Sequence, residues 1–461
     1  MSAVLPGAED TIAALATPPG RSALAVVRLS GPLAHDIASR LLEPWRATPR
    51  AAYRATLRDP STGRVIDRPV VTVYGAPRSY TGDDLVELSV HGGHVGPARA
   101  LGALLAAGAR LALPGEFTRR AVAAGKLDVL QAEAIGDLID AESQAMHDSA
   151  LEQLEGRLSR RVAELRESVL RVEAMIAYDI DFPEEDSGPI EPARVAEATV
   201  ALEDALERLL GTAAAGEMVR RGARVVLAGA PNVGKSSLFN ALVGRERAIV
   251  TPIPGTTRDA IEAVVDLGAW PMRLIDTAGL RASADPIEQL GVAMTERVLA
   301  EADVVLACGD SASSLGAAGA AARARTPAPV VPVRTKADLL APSDFASLRY
   351  QSETPVAVSA VTGAGLAELR ERLEAMIAGR VGEEWRDTPL LTRERHRAAI
   401  ALARAEVGAF KQAWSDGDSG VPIVVAAVHL RAAAMALESL IGAIDVEDVL
   451  DRVFSTFCVG K

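Results

Sequence analysis

Gly229-Ala-Pro-Asn-Val-Gly-Lys-Ser-Ser237 decides the fold of the middle of this 461-residue chain. The run fits the phosphate-loop pattern G-x-x-x-x-G-K-[ST], and it lies between a strand-like apolar run, Arg224 to Ala228, and a helix-like run, Ser236 to Gly244. Strand, glycine turn and helix in that order predict an α/β module with a mostly parallel sheet and phosphates at a helix N-terminus. Gly229 and Gly234 let the backbone turn with its N–H groups inward, and Asn232, Val233 and Ser237 complete the cradle. Lys235 reaches the outer phosphates, and the Ser236 hydroxyl is placed to ligate Mg²⁺.

Further signatures follow at fixed distances. Pro254-Gly255-Thr256-Thr257-Arg258-Asp259 reads as a switch loop, in which the Thr257 hydroxyl joins the Mg²⁺ shell only when a γ-phosphate is present, and Thr251, Pro252 and Ile253 just before it are counted with the GTP contacts. Asp276-Thr277-Ala278-Gly279 follows a strand-like run, Met272 to Ile275, so Asp276 sits at a strand end near the metal and the Gly279 N–H approaches the γ-phosphate. Thr335-Lys336-Ala337-Asp338 follows the run Pro329 to Val333; its carboxylate accepts two hydrogen bonds from the N1–H and 2-amino group of guanine, a donor pair that adenine lacks. The usual form begins with Asn, and the shorter Thr335 makes fewer contacts to the phosphate loop. Ser359-Ala360, after Pro355 to Val358, supplies a backbone N–H to the guanine carbonyl. Together the signatures imply a Ras-like GTP-binding module that hydrolyses GTP.

The rest of the composition narrows the classes. Its length predicts about three domains, and 49% hydrophobic with 24% charged residues is ordinary for globular proteins. Two cysteines, Cys308 and Cys458, make neither a disulfide framework nor a thiol-rich metal site. With no signal-peptide pattern and no uncharged apolar run approaching the roughly 18–20 residues that span a bilayer, the expectation is a cytoplasmic protein without membrane insertion. A formal net charge of −12 opposes non-specific adhesion to nucleic acid, so any RNA contact is local or borrowed from a partner.

Residues 1–125 alternate strand-like runs (Ala23 to Leu29, Pro69 to Tyr74, Leu85 to Val90) with helix-like ones (Pro32 to Leu42, Pro97 to Ala107), an α+β pattern. Residues 126–217 turn helical: apolar residues recur every three or four positions from Leu151 to Met175 and from Val195 to Leu210, with a Pro- and acid-rich break between them. The nucleotide module occupies 218–380, and 381–461 returns to helical periodicity. The simplest organisation inserts that module into one all-helical domain whose two halves pair, preceded by the α+β domain. Ser311 to Ala322 reads only as a small Ala-Gly-rich run. His91 and His94 flank two glycines without a third ligand nearby, which reads as a turn, and no zinc is assigned. Cys308 reads as core; Cys458 reads either as a nucleophile or as an apolar plug.

Phosphate loop, PGTTRD and DTAGLR within one inserted module resemble the bacterial tRNA modification GTPase family MnmE/TrmE. The flanks strengthen the resemblance: Asp10 to Arg21, Val26 to Gly31, Ser79 to Glu87, His91-Gly-Gly93, Pro114 to Thr118, Lys126 to Glu133 and Phe457-Cys-Val-Gly-Lys461 are similar to that family's motifs. It implies a homodimer formed through N-terminal domains that bind a tetrahydrofolate derivative, in the 5-formyl or 5,10-methylene form. It also implies a heterotetramer with MnmG, which carries FAD on the partner, and a carboxymethylaminomethyl group installed at C5 of the wobble uridine of certain tRNAs. By motif, Arg28, Glu87, Lys126 and Lys461 are the folate contacts. A pterin edge suits a carboxylate, and a glutamate tail suits cations.

Leu280 stands where Ras-like switches carry a water-orienting Gln. The resemblance places the acidic residue of the second switch at Glu288, which orients the attacking water through a second water. It also implies that K⁺ replaces an arginine finger, with Asn232, Thr251, the Ile253 carbonyl and Thr256 as oxygen ligands. Arg258 serves either a structural pairing or catalysis. The alternative reading is an Era- or Der-like switch in ribosome assembly, which would carry a basic KH-type module or a second nucleotide module; the sequence has one phosphate loop and helical periodicity after Ala378.

Overall fold

A computed structural model of the chain describes residues 10–181, 191–244, 261–267, 270–277, 296–340, 355–381, 388–415, 423–442 and 460. The chain forms two compact units, Met1–Gly136 with Glu438–Lys461, and Asp137–Leu437.

The first unit contains β1 (Ile12–Leu15), β2 (Leu24–Ser30), α1 (Ala34–Leu41), β3 (Leu42–Glu43), β4 (Ala52–Arg54), β5 (Thr56–Arg58), β6 (Val65–Asp67), β7 (Val70–Tyr74), β8 (Leu85–His91), α2 (Gly96–Ala106), β9 (Arg110–Leu111) and α3 (Glu116–Ala123). Six strands form one sheet in the order β4-β7-β8-β2-β1-β9, while β3, β5 and β6 form a smaller one. Strand alternation divides the work of the two faces. Ala25, Val27 and Leu29 of β2 pack with Ala34, Ile37 and Ala38 of α1 and with Ala100 and Leu104 of α2. On the opposite face Ile12 and Ala14 of β1 meet Phe117 of α3.

α4 (Val129–Asp140) leads in sequence to the second unit, which continues through α5 (Gln144–Leu154), α6 (Arg157–Asp181), α7 (Pro192–Gly211), α8 (Ala213–Arg221), β10 (Ala223–Ala228), α9 (Lys235–Val243), β11 (Ile261–Leu267), β12 (Trp270–Asp276), β13 (Val304–Gly309), α10 (Ala312–Arg323), β14 (Val330–Arg334), β15 (Val356–Ala357), α11 (Leu366–Val381), α12 (Glu394–Ser415) and α13 (Ile423–Ile441). The sheet runs β11-β12-β10-β13-β14-β15, with every pair parallel except the antiparallel edge β11–β12. Its central strands are buried on both faces, which is why they read as continuous apolar runs.

The helices before and after this sheet pair with one another. Leu202, Leu206 and Leu209 of α7 and Ile400, Ala403, Val407 and Phe410 of α12 are buried at helical spacing. Charged rims cross the same seam, with Lys411 Nζ 2.7 Å from Glu203 Oε2. The points where the chain enters and leaves the nucleotide module are stitched together: the Thr212 hydroxyl donates to the Pro389 carbonyl at 3.2 Å, the Leu391 N–H donates to Thr212 Oγ1, and Gln153 Nε2 donates to Thr392 Oγ1 at 3.1 Å.

Three elements differ from the sequence expectations. The periodic run from Leu151 to Met175 is two helices, because Gly156 adopts a positive φ of 80° between α5 and α6. The Ala-Gly-rich run Ser311 to Ala322 is the helix α10, started by a reciprocal capping box between Ser311 and Ser314. Gly309 permits its close approach to β13, since a Cβ there would lie 2.4 Å from the Leu315 nitrogen. Strand β11 was not anticipated; it is the sheet edge, and its acidic residues Glu262 and Asp266 interrupt the apolar run. No helix among the described residues is long and apolar enough to cross a membrane.

Leu369 of α11 is fully buried in the core under the sheet. Leu369→Ala should cost about 2–5 kcal/mol and lower the calorimetric midpoint of the second unit by roughly 6–12 °C for a 3 kcal/mol loss; an unchanged midpoint would show that α11 does not contribute to that core.

Candidate functional site

The phosphate loop leaves the C-terminal end of β10 and enters α9, as the motif requires. Gly229 has φ +151° and Gly234 has φ +102°, and Asn232 is left-handed at φ 61°. A Cβ on Gly229 would stand 2.3 Å from the Cys308 carbonyl oxygen of β13, so a side chain at 229 would force the loop away from the sheet. The Lys235 ammonium folds over the loop and donates to the carbonyls of Gly229 and Ala230 at 3.0 and 2.8 Å. Ser236 Oγ donates to Asp276 Oδ2 at 2.6 Å, so the two oxygen-bearing side chains read as metal-proximal, 40 residues apart in sequence, share one point at the ends of α9 and β12. The Thr277 hydroxyl closes the same corner by donating to the Leu227 carbonyl at 2.7 Å.

The segment Thr335 to Asp338, expected from the sequence to read the base, is tied to the phosphate loop directly. The Thr335 hydroxyl donates to the Val233 carbonyl and lies 3.2 Å from the Gly309 carbonyl. Thr335 therefore keeps a tie to the loop, through one proton shared between two acceptors. Lys336, left-handed at φ 55°, sends its ammonium to the Asn232 carbonyl and to Asp310 Oδ2, each at 2.9 Å. That bond holds the Asp310 carboxyl below its ordinary range. The Ala337 N–H donates to the Val358 carbonyl, and Ser359 Oγ donates to Asp338 Oδ1 at 2.6 Å, which fixes the carboxylate that would read the base. Ala360 follows in the turn after Ser359. Thr251, Pro252, Ile253, Pro254, Gly255, Thr256, Thr257, Ala278, Gly279, Glu288, Cys458 and Lys461 lie outside the described residues.

A second constellation occupies the α3 face of the first unit's sheet. Arg28 on β2 and Glu87 on β8 are direct cross-strand partners, and Glu87 Oε1 accepts from Arg28 Nε at 3.0 Å and from Nη2 at 2.8 Å. The guanidinium lies 5.4 Å from the Tyr80 ring centroid and 5.5 Å from that of Phe117, within cation–π range of both. Its remaining nitrogen, Nη1, donates to the Gly460 carbonyl at 3.3 Å. Tyr80 is fixed by Thr118 Oγ1 at 2.8 Å, and burial raises its phenol pKa. Lys126 follows α3 and lies on the Gly82 side of the loop that carries Tyr80: a Cβ on Gly82 would be 3.9 Å from Lys126 Cε. His91 pairs with Asp67 through Nδ1 at 2.7 Å.

Comparison with known proteins follows the same division. Residues 11–126 match the family described as GTP-binding protein TrmE N-terminus, and residues 129–458 match the MnmE helical domain. A tRNA modification GTPase MnmE from Methylorubrum populi is 43% identical over 100% of both chains. Proteins of that name from Moorella thermoacetica and Thermus thermophilus are each 41% identical over 98% of this chain and 100% and 99% of their own. The chain belongs to the MnmE/TrmE family.

In this MnmE-type chain, the sequence motifs pointed to Arg28, Glu87 and Lys126 but not to Tyr80 and Phe117, which flank the guanidinium. Both aromatics stood within motifs, Ser79 to Glu87 and Pro114 to Thr118, and a cation expected on a sheet face was the available signal. Cys308 lies where the sequence placed it, fully buried in β13. Burial pushes its thiol up to about 12. Iodoacetamide at pH 8 should therefore leave Cys308 unlabelled in peptide maps of the native protein and label it after denaturation; native labelling would mean that β13 opens beneath the phosphate loop.

Proposed function

We propose that this chain hydrolyses GTP to GDP and phosphate and couples that turnover to modification of the wobble uridine of tRNA. The observation that supports this most is extent: relatives called tRNA modification GTPase MnmE align over 98–100% of the chain, including both constellations. With MnmG, a flavin-containing partner, it installs a carboxymethylaminomethyl group at C5, using a one-carbon unit from tetrahydrofolate. A homodimer and a heterotetramer with MnmG complete the proposed assembly, working in the cytoplasm.

The chain's own residues account for the hydrolytic part. Loop N–H groups and the Lys235 ammonium hold the phosphates, and a small swing away from the Gly229 and Ala230 carbonyls brings that ammonium onto them. The Ser236 and Asp276 oxygens suit a hard divalent cation. Ser236 and Thr257 would hold Mg²⁺, which would supply positive charge to the outer phosphates. Asp338, oriented by Ser359, accepts from guanine. Glu288 positions the attacking water, and Asn232, Thr251, Ile253 and Thr256 would hold K⁺, which would supply the positive charge that an arginine finger provides elsewhere. In the first unit both Arg28 bonds fall on Glu87 Oε1, which leaves Oε2 for the donor edge of a pterin, while Lys126 and Lys461 serve its anionic tail.

Nucleoside mass spectrometry of tRNA from cells lacking this protein should show the C5-substituted wobble uridine gone; an unchanged nucleoside profile overturns the proposal. Hydrolysis in K⁺ should exceed that in Na⁺ at equal ionic strength by at least about tenfold, since an equivalent arginine finger contributes more than that; equal rates remove the cation from the mechanism.

A further inference from the structure

One guanidinium in the second unit joins the nucleotide module to the helices beside it. Arg273, in the middle of β12, donates through Nη2 to Glu142 Oε2 at 3.1 Å, through Nη1 to Glu262 Oε1 at 2.7 Å, and through Nε to the Arg221 carbonyl at 3.2 Å. Glu142 immediately precedes the N-cap of α5, Glu262 lies on β11, and Arg221 ends α8. A second bond reinforces the first: the Gln144 N–H, in the first turn of α5, donates to Asp266 Oδ2 of β11 at 2.8 Å. The start of α5 is thus fastened to the β11–β12 hairpin at two points.

The hairpin reaches the phosphate site at its other end. Asp276, the last residue of β12, pairs in register with Ile261, the first of β11, and accepts from the phosphate-loop Ser236. Arg273 is opposite Val264, three residues along, at a strand rise of about 3.3 Å each. Trp270, at the start of β12, is buried among Ala215, Met218, Val219 and Ile377. β12 is paired to β11 on one side and to β10 on the other, so this end of the sheet is stiff and a displacement at Asp276 reaches the Arg273 end as displacement. Beside that end is a cavity of about 200 Å³, bounded by Asp137, Met146, Gln153, Arg220 and Arg273, which gives α5 room to tip.

We infer that Arg273 and Glu142 are positioning residues whose ion pair passes the nucleotide-dependent displacement of the β11–β12 hairpin to α5. The inference rests on the GTP-hydrolase reading. Glu262 and Glu142 hold the same guanidinium, yet only Glu142 belongs to the helical part, so the two carboxylates separate a coupling role from a packing role.

The test uses the full chain with K⁺ and Mg²⁺, loaded with GDP or with a non-hydrolysable GTP analogue, and follows hydrogen exchange in the peptide covering residues 141–154. The wild-type protein should differ between the two states by on the order of fivefold, the lower end of ordinary coupling factors. Glu142→Gln, which keeps shape and removes charge, should bring that ratio below about twofold, while Glu262→Gln should retain it; both variants should hydrolyse GTP within about twofold of wild type. A full response in Glu142→Gln, an equal loss in both variants, or no response in a wild-type protein that binds both nucleotides overturns the inference and leaves the GTPase reading standing. Failure of the wild-type protein to bind guanine nucleotide overturns that reading instead.

Discussion

The absence of a side chain at residue 229 is the constraint on which the nucleotide module depends. β10 and β13 pair in parallel, and the turn leaving β10 passes so close to β13 that a methyl group would meet the Cys308 carbonyl at 2.3 Å. That proximity sets where the loop amides face, where α9 begins and how near Ser236 comes to Asp276. The Thr335 hydroxyl and the Lys336 ammonium then fasten the segment Thr335 to Asp338 to the carbonyls of Val233 and Asn232. The Thr335–Asp338 segment and the phosphate loop are consequently tied together, and an error in the turn spreads to both.

The first unit solves a different problem with a charge pair. A guanidinium and a carboxylate face each other across adjacent strands, partly shielded by α3, and cation–π contacts offset part of the desolvation that such shielding costs. Alternation makes this possible: the residues flanking Arg28 on β2, Val27 and Leu29, face the helices α1 and α2, so the charged face can be polar without opening the core.

The nucleotide module was the most legible part of the sequence, because the phosphate loop combines backbone requirements with two reactive side chains within nine residues. Paired helices around it were legible from spacing. What escaped depended on shape or on distant partners. α10 is built from alanine and glycine and has no apolar period to announce it, although its Ser311–Ser314 box was visible. The stop at Gly156 lay inside a run whose periodicity continues on both sides. The edge strand β11 carries acids where the central strands carry valines. Nor could spacing show that Arg28 and Glu87, 59 residues apart, are register partners, that Ser359 orients Asp338, or that Arg273 reaches Glu142, 131 residues earlier.

The bond from Arg28 to the Gly460 carbonyl joins residues 432 positions apart. Gly460 is held there closely: a Cβ on it would lie 2.3 Å from the Leu15 carbonyl, and its φ of +107° suits glycine. At synthesis rates of about 5–20 residues per second, the last strand of the sheet bearing Arg28, which ends at Leu111, is made roughly 17 s or more before Gly460. During translation the Arg28 guanidinium therefore waits for its Gly460 partner, and a nascent chain stalled before residue 460 carries a finished sheet in which Arg28 Nη1 lacks that acceptor.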